Sequence, residues 1–423
     1  MANSTDGGHT LAVPDIWGMN NEYVEAEIFS VLLGLLILSM LLGFCCHHKL
    51  KWTWLPEASL TMIVGIIAGG ALRLYQTYIN DQNGGAVTAS LTGFDGATFF
   101  NILLPPVIFA SGFNMKRTYF FYNLDKILVF AFLGTAVSCG IVGFSLWGLG
   151  AIGASTNLSL AEALTFGALI SATDPVSTLA VFESLRVSPK LFYIVFGESV
   201  LNDAVAIVLF QAFQSSICAP ALPTKECDPT TIMTFLKPIG MFVWIFGGSM
   251  LVGIASGLSS ALVFKLIDVR EARDYEGRAV IELALFGAFA YLPFLLAQAI
   301  GMSGIVAILF AGMLMRHYTF NNLSKATQES TESIVPFVAS LADVVVFLDL
   351  SMSFFGYHGH LWLNLPLLGW TLILCLVGRA AHVLPIAMCF GLPCIKKHQS
   401  DRQGISLRNQ AMIWFSGLRG AIA

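Results

Sequence analysis

The sequence has too few charged residues for a water-soluble protein. Only 11% of its 423 residues are charged, whereas soluble domains typically have about 25%. The net charge is −4, so no basic surface for nucleic acid is predicted. The eight cysteines are scattered through apolar stretches, which favours neither a disulfide scaffold nor a zinc site. The composition excludes a soluble globule, and we expect neither a nucleic-acid partner nor a cofactor.

Long apolar runs take the place of the missing charge. The chain is 56% hydrophobic and has a mean hydropathy of +0.75. A helix needs about 20 apolar residues to cross a bilayer, so the length allows about twelve crossings. The sequence therefore predicts an all-α, multi-spanning protein embedded in a lipid bilayer. We place the spans at residues 24–46, 57–76, 97–115, 125–150, 160–184, 190–216, 236–264, 277–298, 299–317, 333–355, 361–390 and 406–423.

Lysine and arginine residues indicate the orientation of these spans. Basic residues concentrate in cytoplasmic loops, and with the N-terminus outside only Arg73, Lys225 and Lys237 occupy outer loops. Residues 1–23 form a polar, non-membrane segment without the basic start of a cleaved signal peptide. The sequence stops at Ala423 inside the last predicted span, so we expect that a final helix and a tail are missing.

A group of polar residues lies inside the predicted span 190–216. Glu198, Ser199, Asn202 and Asp203 interrupt an otherwise apolar run. Residues four apart share a helical face, so Ser199 lies beside Asp203 and Glu198 beside Asn202. Ionisable residues inside a span are costly and usually functional, and carboxylate, amide and hydroxyl oxygens suit hard cations. The spacing predicts a site at Asp203 that holds either Na⁺ (or K⁺) or a proton. The alternative is a buried polar cluster that only joins helices.

The preceding span contains a proline directly after an acidic residue. Pro175 has no N–H and disfavours a helical conformation at Asp174. The helix should therefore break there and free the carbonyl of Ser171. Transporters use the backbone carbonyls of broken helices to hold ions. We expect Thr173 and Asp174 to contribute to the ion site, and the alternative is an ordinary proline kink with Asp174 as a cap.

A second break is predicted near the end of the sequence. Gly417 and Gly420 flank Arg419 within an apolar run, and glycine tolerates unwinding. Arg419 is suited to neutralise the dipole ends of two crossed half-helices. Paired interruptions in the two halves of a chain are typical of inverted-repeat transporters.

Arg379 is the other basic residue inside a span. A buried guanidinium needs an anionic partner. Glu198 is the available carboxylate, because Asp203 must stay free to exchange its ion. The alternative is a snorkelling arginine near the end of a span. We interpret His382 as a packed polar residue and Asp343 as a candidate coupling carboxylate.

Several motifs in this order resemble those of the eukaryotic sodium/proton exchangers, within the monovalent cation/proton antiporter superfamily. The motifs are FNILLPP at 100–106, SATDPV at 171–176, FGESVLNDAV at 196–205 and GLRGA at 417–421. Residues 173–174 and 317–324 are most similar to the organellar branch, which sits in endosomes, Golgi or vacuoles. The plasma membrane is the alternative location. The sequence departs from the family at Asp343, where glutamate is usual, and at Asp349, where an uncharged residue is usual.

The resemblance implies a secondary transporter, not an enzyme. It implies electroneutral exchange of Na⁺ (or K⁺) for H⁺, with Asn202 and Asp203 at the ion site and Glu198 paired with Arg379. The broken helices would cross at Thr173 and Asp174 and near Arg419. The resemblance also implies a region associated with amiloride-type inhibitors, formed by Phe100, Leu104, Pro105 and Pro106.

The fold that the resemblance implies is an inverted repeat of thirteen helices, of which about twelve are present here. A core domain would move like an elevator against a dimerisation domain in a homodimer. The dimerisation helices would be residues 24–115, and the core ion-binding helices residues 125–216. Residues 236–355 would hold the linker helix and the second dimerisation helices, and residues 361–423 the remaining core helices.

Two other classes of function stay open on the sequence alone. A truncated chain could act as a membrane scaffold that does not transport. Gly301-Met302-Ser303-Gly304 also matches the short Gly-x-Ser-Gly pattern of intramembrane serine proteases, with His382 in a later span. A protease would not account for Asp203 and its polar neighbours.

Overall fold

The computed structural model is helical throughout the secondary structure that it describes, which confirms the predicted all-α class. The described residues are 19–49, 57–79, 96–115, 117–173, 182, 187–214, 232–266, 278–354, 364–391 and 407–417. Within them the helices are α1 Met19–Phe44, α2 Glu57–Ile79, α3 Gly96–Phe113, α4 Arg117–Tyr122, α5 Leu124–Ala151, α6 Leu160–Ile170, α7 Pro189–Gln214, α8 Ile232–Leu266, α9 Arg278–Ala299, α10 Gly304–Leu314, α11 Lys325–Ser353, α12 Leu365–Gly391 and α13 Leu407–Phe415.

Seven of the described helices are long and apolar enough to cross a membrane. They are α3, α5, α7, α8, α9, α11 and α12. The shorter apolar helices α1, α2 and α6 coincide with further predicted spans. The total of twelve spans stays a prediction.

Helix α11 begins earlier than the predicted span 333–355. Its first residue is Lys325, because Ser324 and Thr327 cap its start through the carboxylate of Glu282. Both hydroxyls donate to Glu282 Oε2 at 2.6 Å. Hydropathy located only the apolar part of the helix, since the first two turns are polar. The cap Ser324 lies directly before the helix and accepts from the backbone N–H of Thr327 at 3.4 Å.

The chain divides into two compact units. The first contains residues 1–95 and 344–361, and within it α1 and α2 pack together. Val64 of α2 forms a small apolar core there with Leu348 and Met352 from the end of α11. The predicted division into dimerisation and core helices is a separate matter and stays a prediction.

The second unit contains residues 96–343 and 362–423 and includes all the candidate site residues of α7. Helices α5 and α6 cross closely within it. A Cβ at Gly167 would lie 2.6 Å from the carbonyl oxygen of Cys139, so the backbones can approach only because this residue has no side chain. Small residues at helix crossings are the usual device for close packing in membranes.

An apolar cluster joins α5, α7, α12 and α13 within the second unit. Phe130, Ile194, Val383 and Ile413 are buried in it, one from each of these helices. The cluster packs α7 against α12, which carries the Arg379 partner of Glu198, and against α13, whose end binds Arg379. The polar groups described below are therefore held by a packed apolar frame.

Candidate functional site

Helix α7 carries the polar motif through the interior of the second unit. Of the residues in its most apolar stretch, 83% are buried, compared with 22% for α9. Glu198, Ser199, Asn202 and Asp203 are all buried on it. A helix that is enclosed by other helices can present polar groups to protein partners on several sides, which a lipid-facing helix cannot.

Asn202 lies at the centre of what we call the amide cluster: the side chains of Thr135, Thr173, Ser199 and Asn202 with the carbonyl of Ser171. The Nδ2 of Asn202 donates to the Ser171 carbonyl at 3.1 Å and to Thr173 Oγ1 at 3.2 Å. The hydroxyl of Thr173 donates in turn to Ser199 Oγ at 3.1 Å. The hydroxyl of Thr135 lies 2.6 Å from Asn202 Oδ1.

These contacts settle which way the Asn202 amide faces. The carbonyl of Ser171 can only accept a hydrogen bond, so the group that faces it must be the NH₂. The oxygen Oδ1 therefore faces Thr135. A carboxamide oxygen has two lone pairs, so Oδ1 has one left for a cation when Thr135 donates to the other.

Asp203 follows Asn202 directly on α7 and is 6% exposed. It is the acidic residue next to a cluster built entirely from neutral groups. Carboxylate, amide and hydroxyl oxygens are hard ligands, and α7 supplies all three types within Ser199, Asn202 and Asp203. The arrangement is suited to one monovalent cation or one proton.

The first predicted break coincides with the end of α6. The helix ends at Ile170, and residues 171–173 are not helical. The carbonyl of Ser171 accepts from Asn202 Nδ2. Asp174 and Pro175, which were predicted to cause the break, lie outside the described residues.

Glu198 and Arg379 form what we call the charge cluster, together with His382, Ser416 and the carbonyl of Ile413. Arg379 Nη1 donates to Glu198 Oε1, and Nη2 lies 3.2 Å from Oε2, so the pair is bidentate. Nη2 also donates to the Ile413 carbonyl at 3.0 Å and to Ser416 Oγ at 3.4 Å. Both side chains of the pair are almost fully buried.

His382 completes the charge cluster as a neutral group. Its Nδ1 lies 2.8 Å from the carbonyl of Gly378, which only accepts, so Nδ1 carries the proton. Its Nε2 is then a lone-pair acceptor 3.3 Å from Arg379 Nη1. The histidine therefore adds a hydrogen bond to the guanidinium without adding charge.

The end of α13, where the second break is predicted, lies next to Arg379. Helix α13 ends at Phe415, and Gly417 packs so closely that a Cβ there would lie 2.8 Å from Cδ of Arg379. Gly417 is thus at the contact between the helix end and the guanidinium. Arg419 and Gly420 lie outside the described residues.

The residues of the predicted inhibitor region, together with Asp343 and Asp349, lie outside the two polar clusters. Pro105 and Pro106 of α3 line a cavity of about 230 Å³ whose other walls are formed by α9, α10 and α11. Leu104 is buried, whereas Phe100 is largely exposed. Asp343 is half-buried on α11. Asp349 is also half-buried, on the part of α11 that belongs to the first unit.

Ser303 has a helix-capping position. Its hydroxyl accepts from the amide of Val306, and its own amide donates to Ser249 Oγ at 2.8 Å. Both ring nitrogens of His382 are engaged by Gly378 and Arg379, as described above. Neither side chain is arranged as a nucleophile and base.

Thr135 and Ser416 are the polar residues of these clusters that sequence reasoning missed. Thr135 lies in an apolar run in the middle of α5, where one threonine gives no signal by itself. The available hint was that a threonine inside a membrane helix usually hydrogen-bonds to its own helix or to a neighbour. Which neighbour it reaches depends on helix packing, which the sequence pattern does not give.

Comparison with known proteins places these features in a family. The sequence matches the family described as sodium/hydrogen exchanger, transmembrane, over residues 35–423. It is 39% identical over 361 residues to rat sodium/hydrogen exchanger 9, covering 82% of this chain and 53% of the relative. It is 36% identical over 398 residues to rat sodium/hydrogen exchanger 8, covering 93% of this chain and 64% of the relative. The chain thus spans between half and two thirds of the length of these relatives.

A solved structure supports the same fold. The sodium proton antiporter from Methanocaldococcus jannaschii, determined at pH 8, superposes with a TM-score of 0.60. The match covers 94% of this chain and 84% of the antiporter, at 19% identity. At that identity the likeness concerns the fold alone, and it confirms the antiporter architecture expected from the sequence.

Proposed function

Because the chain belongs to the sodium/hydrogen exchanger family, we propose that it is an antiporter that exchanges Na⁺ (or K⁺) for H⁺ across a membrane, one cation for one proton. The relatives are named for sodium/hydrogen exchange, which supports Na⁺ and H⁺ as the transported ions. K⁺ rests only on the hard-oxygen chemistry of the site, which accepts either alkali cation. The same membership favours a transporter over an enzyme or a scaffold.

Asp203 is the group for which the cation and the proton compete. It is buried and acidic, and its chain neighbour Asn202 has an oxygen lone pair available. A carboxylate that holds a cation is deprotonated, and one that holds a proton no longer attracts the cation. Exchange follows if the site can face either side of the membrane only when it is loaded. Asn202, Ser199, Thr173 and Asp174 are the proposed supporting residues.

Glu198 and Arg379 have a structural role in this proposal. The carboxylate is already bound by Arg379 in a bidentate pair, which favours Asp203 over Glu198 as the exchanging group. Removing a charge from such a pair would leave the other charge buried and unpaired. Glu198 therefore holds the helices around the site, and Asp203 does the exchange.

One observation carries the proposed mechanism: α7 holds the end of α6 and the end of α13 within a single turn. Asn202 binds the end of α6 through the Ser171 carbonyl, and Glu198 binds the end of α13 through Arg379 and the Ile413 carbonyl. We infer that the two helix ends and α7 move as one body. That behaviour suits an elevator-type alternating-access transporter in a homodimer, as the family resemblance implies.

The proposed location is an organellar membrane, with the plasma membrane as the alternative. It rests on the similarity of residues 173–174 and 317–324 to the organellar branch. The multi-pass membrane topology itself follows from the spans and the family match.

Reconstitution tests the proposed function directly. Full-length protein in liposomes, with an inward Na⁺ gradient and a pH-sensitive dye inside, should alkalinise the lumen. Asp203→Asn should reduce this signal to the level of protein-free liposomes, because a neutral amide can neither release a proton nor attract a cation. Asp125→Asn, the same change at an exposed aspartate near the start of α5, should exchange like the wild type. Exchange that persists in Asp203→Asn would refute the assignment.

A further inference from the structure

Thr135 has a hydroxyl that faces two buried acceptors at once. Its Oγ1 lies 2.6 Å from Asn202 Oδ1 and 2.5 Å from the carbonyl oxygen of Ala131. The side chain is 2% exposed, so water does not share these contacts. A hydroxyl has a single proton, which means that Thr135 can donate to only one of the two acceptors at a time.

The helix is irregular directly before Thr135. A π-helical turn, Val129–Gly134, precedes Thr135 directly. The backbone N–H of Thr135 bonds to the carbonyl of Phe132, whereas a regular α-helix would direct it to Ala131. The hydroxyl of Thr135 bonds to the Ala131 carbonyl, as serine and threonine hydroxyls commonly do four residues back in a helix. Single π turns inside α-helices occur frequently at functional sites, and this one lies directly before the residue that contacts Asn202.

Within the amide cluster, the hydroxyl of Thr135 is the group that can change its hydrogen-bond acceptor. The NH₂ of Asn202 is held by the Ser171 carbonyl and by Thr173, so the amide cannot reverse without losing both bonds. When a cation approaches Oδ1, a hydroxyl proton that points at the same oxygen is repelled. Thr135 has a second acceptor already within hydrogen-bond distance, so its proton can turn away without becoming unsatisfied.

We propose that Thr135 is a further cation-binding residue, with a hydroxyl proton that turns from Asn202 to Ala131 when the cation binds. The turn is a rotation about the Cβ–Oγ bond, and no covalent bond changes. It leaves a lone pair of Thr135 Oγ1 beside Asn202 Oδ1, so that two neutral oxygens face the cation together. The inference rests on the proposed function, because it assigns a ligand to the same site.

This arrangement also gives Thr135 a part in selecting the cation. The two oxygens are fixed by different helices, α5 and α7, so the distance between them changes little when the ion changes. A pair of ligands with a fixed spacing favours the ion whose radius fits it. Thr135 therefore affects the preference between Na⁺ and K⁺ as well as the affinity.

The test compares Thr135→Val with Thr135→Ser in the full-length exchanger in liposomes. Valine keeps the shape and removes the hydroxyl, so the KM for Na⁺ should rise by about threefold to tenfold, the effect of losing one hydrogen-bonding group. The Vmax should be largely retained, and the ratio of the KM values for Na⁺ and K⁺ should change. Serine keeps the hydroxyl and should keep both KM values near those of the wild type.

Ser138→Ala is the matched control. Ser138 lies one turn further along α5 and is also buried, and its hydroxyl has no hydrogen-bond partner among the described residues. Removing that hydroxyl should leave both KM values unchanged. A KM for Na⁺ in Thr135→Val that equals the wild-type value, or falls below it, would overturn the inference while exchange in the wild type still supports the proposed function.

A binding measurement covers the case in which Thr135→Val folds poorly. Na⁺ should raise the melting temperature of detergent-solubilised wild type and of Thr135→Ser to a similar extent at the same Na⁺ concentration. A Thr135→Ser protein that folds but has lost this Na⁺ effect would count against the hydroxyl as the functional group. Absence of the effect in the wild type would instead count against the ion site.

Discussion

The two polar clusters on α7 are one helical turn apart and differ in charge. Glu198 and Arg379 carry full charges, whereas the amide cluster around Asn202 consists of neutral groups. Both are almost completely buried. The guanidinium of Arg379 is bound by the carboxylate, a histidine, a backbone carbonyl and a serine hydroxyl. In the amide cluster, the Thr135 hydroxyl has more acceptors than protons to donate.

The difference in charge suggests different roles for the two clusters: the charge cluster holds the helix ends together, and the amide cluster takes part in ion exchange. A buried charge that loses its partner costs several kcal/mol, so a charged cluster resists rearrangement. A neutral hydrogen bond is worth about 1 kcal/mol, so a neutral cluster can change partners as an ion enters or leaves. One turn of α7 thus keeps the helix ends together while the next turn adapts to its load. The comparison fails if the charge cluster proves dispensable or if the hydrogen bonds of the amide cluster stay unchanged when the ion binds.

Breaking the charge cluster should have the largest effect. Arg379→Met leaves Glu198 buried without its partner, which should lower the free energy of unfolding by about 3–5 kcal/mol. Thermal unfolding of the detergent-solubilised full-length protein, followed by tryptophan fluorescence and size exclusion, measures this loss. A melting temperature equal to that of the wild type would mean that the pair does not hold the helices together.

The double variant Glu198→Gln/Arg379→Met is the control for this prediction. Removing both charges of a buried pair is often close to neutral, so the double variant should recover a large part of the stability that Arg379→Met loses. If the two variants are equally unstable, the loss comes from packing around Arg379 and not from the uncompensated carboxylate.

Crowding the charge cluster should have an intermediate effect. In Gly417→Ala the new Cβ would lie 2.8 Å from Cδ of Arg379, so either the guanidinium or the end of α13 must shift. Overpacking of this kind typically costs about 1–3 kcal/mol. The melting temperature should fall, and the exchange rate should fall with it, because Arg379 links α7 to α13.

Gly369→Ala provides the matched substitution on α12, the helix that carries Arg379. A Cβ at Gly369 would meet no atom within 4 Å. Alanine is favoured over glycine inside a helix by roughly 0.5–1 kcal/mol, so this variant should be as stable as the wild type or slightly more stable. A similar loss in both variants would show that the close contact at Gly417 is not the cause.

The sequence alone predicted a contact where few residues could meet the chemical requirement. A guanidinium inside a membrane needs a carboxylate, and Glu198 was the candidate left once Asp203 was reserved for the ion. The structure places Arg379 on that carboxylate, although the two residues are 181 positions apart. The carbonyl of Ser171, which the proline after Asp174 was predicted to free, accepts from the NH₂ of Asn202, while the break at Asp174 and Pro175 stays a prediction because both lie outside the described residues. The all-helical fold followed from hydropathy alone.

The sequence alone did not predict features that depend on how the helices pack against one another. The contact of Thr135 with Asn202 was not predicted, because one threonine in an apolar run does not indicate which helix it faces, and the two residues are 67 positions apart. Hydropathy also missed the first eight residues of α11, because they are polar. The local cap Ser324 marks that start, but the carboxylate of Glu282 that binds it lies 42 positions away.

Ser199 gives the smallest and most discriminating prediction for the amide cluster. Its hydroxyl accepts from Thr173 at 3.1 Å and is completely buried. In Ser199→Ala, Thr173 loses that acceptor but still receives the bond from Asn202, so the cluster should adapt. The KM for Na⁺ should rise by about twofold to fourfold, corresponding to 1 kcal/mol or less, with no measurable change in melting temperature. An unchanged KM would assign Ser199 to joining helices, and an increase as large as that of Thr135→Val would make it a ligand of equal weight.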